Sequence, residues 1–442
     1  MGRLIHRLSA FQIIAASFSL TILAGALLLM LPFATVDGAG ASFADALFTS
    51  VSATCVTGLV VQDTGTYWTV FGQTIILGLI QVGGMGVVSV AMILVVISGQ
   101  RVTLMQRSTL QEAMAAPQLG GIVRMLRFIV KWVFLLELLG AAIMAPVFIE
   151  KFGVAKGLWF AVFHSISAFC NAGFDLTGIL EPGSSLVHFA ADPIINGTVM
   201  ALIIIGGLGF ITWADVRVNG LHFHRYRLQT KMIFIMTVIL ITVPTALFYF
   251  FDFQEDSMPL RLWVSLFQSV TARTAGYNTV DFGEMTEAGR MVLIILMVIG
   301  GAPGSTAGGV KVTTCFTVFV AAAAAFRRHQ DVNVFGRRIA PESIRFALTV
   351  LMLYLTLLLT GSVAISYSGH VPMMDALFEA ASAIGTVGLT IGVTGEANEL
   401  SRIILMLLMF FGRVGGITLI YAFYKGTRVV QARYPEEKVN MG

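Results

Sequence analysis

Apolar and polar positions alternate along this chain on the scale of whole segments. Apolar runs cover residues 11–33, 128–149, 232–251 and 346–365, each long enough to cross a hydrocarbon layer of about 30 Å as one helix. After every run come a polar break, a shorter amphipathic stretch, a glycine-bearing loop and a second apolar run. The pattern predicts four tandem units of span, short helix, loop and span, bounded at 1–100, 101–220, 221–330 and 331–442, the last with a terminal tail. The expected fold is therefore an all-α polytopic membrane protein with eight transmembrane spans and four re-entrant short helices. The first run is kept as a span. Its basic flank, MGRLIHRLSA, is like that of a signal peptide, but the run is of helix length and lacks a small-residue cleavage pattern.

Charge orients these units. Twenty of the 28 Lys and Arg residues fall in the N-terminal flank (Arg3, Arg7), in 101–131, 217–231 and 327–345, and from Lys425 onward. By the positive-inside rule these segments, including both termini, face the cytoplasm. The alternating segments gather acids instead, among them Asp45, Asp63, Asp175, Glu181, Asp252, Asp281 and Glu396, and an acidic outer face concentrates cations. Composition then fixes the solvent: with 57% hydrophobic and 12% charged residues and a mean hydropathy of +0.85, the chain carries more apolar surface than a soluble core can bury. Cys55, Cys170 and Cys315 form no disulfide framework and have no metal-ligand spacing.

Stacked on their loops, the units read SVSATCVTGL, SISAFCNAGF, QSVTARTAGY and AASAIGTVGL without a gap. Gly58, Gly173, Gly276 and Gly388 recur at intervals of 115, 103 and 112 residues. Each is followed by a bulky apolar residue and preceded by a helix of eight or so residues, with Phe48, Phe163, Leu266 and Phe378 ten positions earlier. GTVG alone would be an ordinary turn; as the fourth of a set it is not. A helix that enters a bilayer, stops at glycine and returns as extended backbone is tolerated only where protein buries it or water lines it. Glycine supplies backbone angles that a Cβ obstructs. Four such loops about an axis supply rings of carbonyl oxygens that can replace a cation's hydration shell.

On these motifs the chain resembles, over essentially its whole length, the bacterial Trk/Ktr potassium transporters and their plant HKT relatives, most closely the Ktr membrane subunit. The resemblance implies a pseudo-fourfold arrangement around one pore, homodimerisation with a separate pore in each chain, and residence in the bacterial plasma membrane. It implies K+ as substrate, bound at a filter on Val56, Thr57 and Gly58; Asn171, Ala172 and Gly173; Thr274, Ala275 and Gly276; and Thr386, Val387 and Gly388. A serine at the first glycine position favours sodium in the plant relatives, so Gly58 points to potassium; whether Na+ travels along or only regulates stays open. Arg273, inside ARTAG, would repel a cation if it faced the axis. It is expected behind the filter, paired with a carboxylate such as Glu379 or an Asp flanking the filter.

The second spans carry glycine clusters: QVGGMG (81–86), IGGLGF (205–210), IGGAPGSTAGGVK (299–311) and FGRVGG (411–416). Close helix crossing accounts for the first two. In the third, seven of the ten residues 300–309 are Gly, Pro or Ser, so the helix must break. The resemblance implies that this break is an intramembrane loop obstructing the pore. Gly304, Ser305, Thr306, Ala307, Gly308 and Gly309 are thereby assigned to a gate, with Lys311 and Arg413 expected to face the cavity, since cations are expensive in lipid, the alternative being helix packing with an acid as partner. GSTAGGVK is no nucleotide-binding loop, because Val310 stands where lysine is required. The sequon at Asn196 opens a span and carries no role.

An intramembrane enzyme would need a nucleophile with a base, or a metal pair. The seven histidines are scattered, Glu137 is the chief carboxylate within a span, and His164 reads as a packing residue. A proton-coupled carrier would show inverted repeats and intramembrane acids, whereas these units share one orientation. No segment is left to sense a nucleotide. The resemblance implies a partner, a cytosolic ring of nucleotide-binding RCK subunits of KtrA or KtrC type under ATP or ADP control. The basic inner face suits that ring, and equally suits anionic membrane lipids. Nucleic acid is not an expected partner. The tail VQARYPEEKVNMG is compatible with a dimer contact.

Overall fold

The computed structural model describes residues 9–98, 102–114, 120–255, 257–416, 418 and 437. Arg3, Arg7, Arg101 and nearly all of the tail, with its expected dimer contact, lie outside the described residues. Unit 1 contributes α1 (Ala10–Leu29), α2 (Phe43–Cys55), α3 (Val70–Met85) and α4 (Val87–Ile97), and a short α5 (Leu104–Ala113) follows. Unit 2 contributes α6 (Ile122–Phe152), α7 (Val154–Cys170), α8 (Pro193–Gly207) and α9 (Phe210–Asn219). Unit 3 contributes α10 (Leu228–Phe251), α11 (Met258–Thr271), α12 (Glu287–Val298) and α13 (Val312–Phe326). A two-stranded turn of β1 (Asn333–Val334) and β2 (Arg337–Arg338) leads to α14 (Pro341–Gly369), α15 (Met373–Gly385), α16 (Val393–Glu396) and α17 (Glu399–Val414) of unit 4.

The four apolar runs become α1, α6, α10 and α14, which are long and apolar enough to cross a membrane. About one third of each is buried. The remainder presents side chains such as Leu20, Leu138, Phe250 and Met352 outward, as expected of helices whose outer solvent is hydrocarbon. Polar caps set where helices begin: Ser9 and Gln12 form a capping box on α1, and the Asp192 carboxylate accepts from the Ile194 and Ile195 N–H groups ahead of α8. These side chains answer the donors that a helix start leaves unpaired.

Two expectations need correction. The short helices α2, α7, α11 and α15 are 13, 17, 14 and 13 residues long, because each continues outward past its buried half to a cap or a turn at its outer end. Nor is helix crossing a sufficient account of the first two glycine clusters. α3 and α4 meet at 94°, and α8 and α9 at 92°. The bends fall on Gly86 (φ 85°) and Gly209 (φ 87°), and α17 ends at Gly415 (φ 91°), all left-handed angles that a Cβ disfavours. In unit 3 the corresponding break is the whole segment 299–311 between α12 and α13.

Candidate functional site

The four glycine-bearing loops share one backbone design. Val56, Asn171, Thr274 and Thr386 lie at φ 57°, 59°, 73° and 50°, and two residues on, Gly58, Gly173, Gly276 and Gly388 lie at 95°, 67°, 85° and 95°. Each loop is tied to the last turn of its own short helix. Thr57, Ala172 and Val387 donate their N–H groups to the carbonyls of Ser52, Ser167 and Ser382, each at 2.8 Å. The same serines brace the loop a second time: the Ser52 and Ser382 hydroxyls accept from Gly58 and Gly388 N–H at 3.1 and 3.0 Å, and that of Ser167 donates to the Phe174 carbonyl at 2.7 Å. Unit 3 has Val270 at this position and moves the function one residue along, to Thr271, whose hydroxyl donates to the Tyr277 carbonyl at 2.6 Å.

The loops close into a ring. A Cβ on Gly58 would stand 2.5 Å from the Ala172 carbonyl oxygen, and one on Gly173 would stand 2.6 Å from that of Ala275. One on Gly276 would strike the Val387 carbonyl, and one on Gly388 the Thr57 carbonyl. The order is unit 1 to 2 to 3 to 4 and back to 1, so each missing side chain makes room for the next unit's backbone. All twelve residues of these triplets are buried. Around them the hydroxyls of Thr54, Thr57 and Thr386, and of Thr306 below, are buried without a protein partner among the described residues. An orphaned hydroxyl is costly in a dry interior, and such hydroxyls beside the ring of backbone carbonyls are a donor set suited to a cation or its water.

Beneath this ring, segment 299–311 bonds directly to units 2 and 4 and is linked to unit 1 through Arg413. Its Ala302 and Thr306 N–H groups donate to the Gly207 and Gly206 carbonyls of unit 2 at 3.0 and 3.3 Å, and Gly309 N–H to Gly412 of unit 4 at 3.3 Å. Arg413 completes the set: one guanidinium nitrogen donates to the Thr306 carbonyl and the other to Gly83 (2.5 Å) and Gly84 (3.2 Å) of unit 1. Lys311 donates to the Ala307 carbonyl at 2.8 Å. Gly304, Ser305, Thr306, Ala307, Gly308 and Gly309 thus lie together under the ring, with Gly308 facing the Thr386 hydroxyl. Lys311 is held by a carbonyl of the segment itself, and Arg413 by carbonyls of the segment and of the end of α3.

Arg273 does turn away from its loop, but its expected carboxylate partner is wrong. Its guanidinium reaches the Thr237 hydroxyl of α10 at 3.5 Å. Glu379 serves its own unit, accepting from the Thr390 and Thr394 hydroxyls at 2.5 Å and from Ile391 N–H at 3.1 Å. His164 packs: Nδ1 lies 2.8 Å from the Phe160 carbonyl and the ring stacks on Phe148. Asn196 is buried and donates to the Phe189 and Ala190 carbonyls at 2.9 and 2.8 Å, a structural use of the sequon. In the outer loop, burial pushes the Asp175 carboxyl up to about 6, against its hydrogen bonds to Thr177 and with a further push from Asp63.

A set of contacts between units was missed from sequence. Arg402 of unit 4 pairs with Asp45 of unit 1 at 3.1 Å, and Arg290 of unit 3 with Asp375 of unit 4 at 3.4 Å. The arginines stand 14 residues after their loop glycines and the aspartates 13 before, so the pairs are equivalent. Between units 1 and 2 a neutral contact replaces them, Trp159 Nε1 donating to Gln73 Oε1 at 2.8 Å. Counting outward from the aligned glycines would have found them.

The sequence model of the TrkH family, described as cation transport protein, matches residues 6–428. The chain is 38% identical over 437 residues to Ktr system potassium uptake protein B of Bacillus subtilis, covering 98% of this chain and 96% of the relative. It is 36% identical to potassium/sodium uptake protein NtpJ of Enterococcus hirae, covering 100% and 99%. The crystal structure of the potassium transporter TrkH from Vibrio parahaemolyticus superposes with a TM-score of 0.75 at 20% identity, covering 94% of this chain and 84% of that one, a likeness of fold.

Proposed function

Because the chain belongs to the TrkH family of cation transport proteins, and so is a transporter and not an enzyme, we propose that it is the ion-translocating membrane subunit of a Ktr-type potassium uptake system. The observation that carries this reading is the closed ring of filter glycines, in which each unit's backbone fills the space left by its neighbour's absent side chain. Val56, Thr57, Gly58, Asn171, Ala172, Gly173, Thr274, Ala275, Gly276, Thr386, Val387 and Gly388 form the K+ filter, where carbonyl oxygens stand in for hydration water. The units 1–100, 101–220, 221–330 and 331–442 supply eight spans and four re-entrant helices in a bacterial plasma membrane, with cytoplasmic termini.

The gate is segment 304–309, latched by Arg413 and stiffened by Lys311. Its bonds to units 2 and 4, and its link to unit 1 through Arg413, support that role, because a plug tied to every wall of the pathway closes it and must release those ties to open. A cytosolic nucleotide-binding RCK ring acts on this gate, and the subunit works as a homodimer; the names of the Ktr relatives, which describe a system, support a partner. Sodium accompanies or stimulates potassium, a reading that the name of the Enterococcus relative favours.

The test is potassium uptake by cells lacking their own uptake systems. The unaltered chain should restore growth at low potassium, and Gly388→Ser, whose side chain would strike the Thr57 carbonyl, should abolish potassium preference. Growth at low potassium unaffected by that substitution would defeat the proposal.

A further inference from the structure

Away from the axis, a cavity of about 780 Å3 opens between the first turns of α6, the bent pair α8 and α9, and α10. Arg124, Arg127 and Lys131 reach it from one face of α6, at spacings of three and four, and Arg217 reaches it from α9. None of the four is ion-paired among the described residues, and no acid lines the cavity. Arg217 lies over the Phe128 ring at 4.9 Å, which leaves its planar edge free to donate. By charge this end of α6 and α9 is cytoplasmic.

The rest of the wall is apolar, built from side chains such as Leu136, Ile205, Leu208 and Phe234. Trp132 and Trp213 also line it, and indoles settle at the polar edge of a bilayer. Four unpaired cations over a hydrocarbon wall match one chemistry, an anionic head on an acyl chain. A soluble anion would gain nothing from the wall, and a zwitterionic lipid would bring a cation against four others.

We propose that this cavity binds an anionic phospholipid of the cytoplasmic leaflet, with Arg124, Arg127, Lys131 and Arg217 on its phosphate and the acyl chain along Ile205 and Leu208. Leu208 is followed by the bend at Gly209 and by Phe210, whose N–H donates to the Gly304 carbonyl at 2.8 Å. The bound lipid therefore braces the bend that holds segment 304–309. This last step rests on the gate reading; the binding does not.

The test is native mass spectrometry of the full-length protein released from micelles holding phosphatidylglycerol or phosphatidylcholine. The unaltered protein should retain phosphatidylglycerol about tenfold better, equivalent to about 1.4 kcal/mol. Arg124→Gln, Arg127→Gln, Lys131→Gln and Arg217→Gln combined should remove that preference. The same four-charge change at Arg327, Arg328, Arg337 and Arg345 should leave it intact. Equal retention by the first variant, or displacement of the lipid by soluble glycerophosphate at equal concentration, would overturn the proposal. So would a first variant that loses a dimer peak while keeping its lipid, which would make the face a contact with a second copy.

Discussion

The glycine ring and the breaks in the second helices come from the same fourfold sequence pattern, yet one is kept symmetric and the other is not. In the ring, the four units share two left-handed positions, a hydroxyl brace and a glycine facing its neighbour's carbonyl. In the breaks, two units turn through 94° and 92° at a single glycine, while unit 3 inserts segment 299–311. A cation held by backbone oxygens needs equivalent distances from all sides. A plug needs only one unit to reach across, and four long loops could not share the space beneath the ring. On the proposed reading, symmetry is retained where coordination demands it and given up where obstruction demands it.

The contrast can be sharpened by variants that touch only the asymmetric part. Deleting residues 305–307 should produce the largest effect: potassium flux into proteoliposomes should rise by about tenfold or more with potassium-over-sodium preference unchanged, because the ring is left alone. Arg413→Gln comes next. It removes charge-assisted bonds to two units, each worth about 1.5–3 kcal/mol, and tracer flux should rise severalfold. Lys311→Gln, whose bond stays within its own loop, should raise it less.

The symmetric part offers smaller tests. Asp45→Asn, Arg402→Gln and the double variant form a cycle across the closing interface of the ring. The coupling read from thermal unfolding in detergent should be about 1 kcal/mol for this half-buried pair, and the equivalent Arg290 and Asp375 cycle should match it. The smallest effect concerns pH. Asp175 has a raised carboxyl, near 6 against 3.8 ordinarily, so the folded protein binds that proton more tightly than the unfolded chain does. Its ionised form destabilises the outer loop above pH 6, and stability should grow as pH falls from 7 toward 4. Asp175→Asn should flatten that part of the unfolding profile.

The ring was legible in sequence because its constraint is local and repeated: a glycine with a short helix before it, four times at nearly equal spacing. The long apolar helices were legible for the same reason, since lipid imposes a length. The bends at Gly86 and Gly209 were not, because a glycine pair inside an apolar run serves close packing and sharp turning alike, and only its packing against the end of its own unit's short helix decides. Gly206 lies against the Phe169 carbonyl and Gly83 against that of Thr54, contacts that no spacing announces. The partner of Arg273 failed for a related reason: a buried cation calls for an acceptor, but the sequence does not say that Glu379 is already satisfied by Thr390 and Thr394.

The most direct test of the account is whether the four loops contribute equivalently to one site. Potassium and sodium fluxes should be measured in proteoliposomes for Gly58→Ser, Gly173→Ser, Gly276→Ser and Gly388→Ser, each made alone. All four should lose most of the preference for potassium, because every added Cβ meets the next unit's carbonyl. A preference that survives at any one of the four positions in a correctly folded protein would contradict a single ring-shaped site.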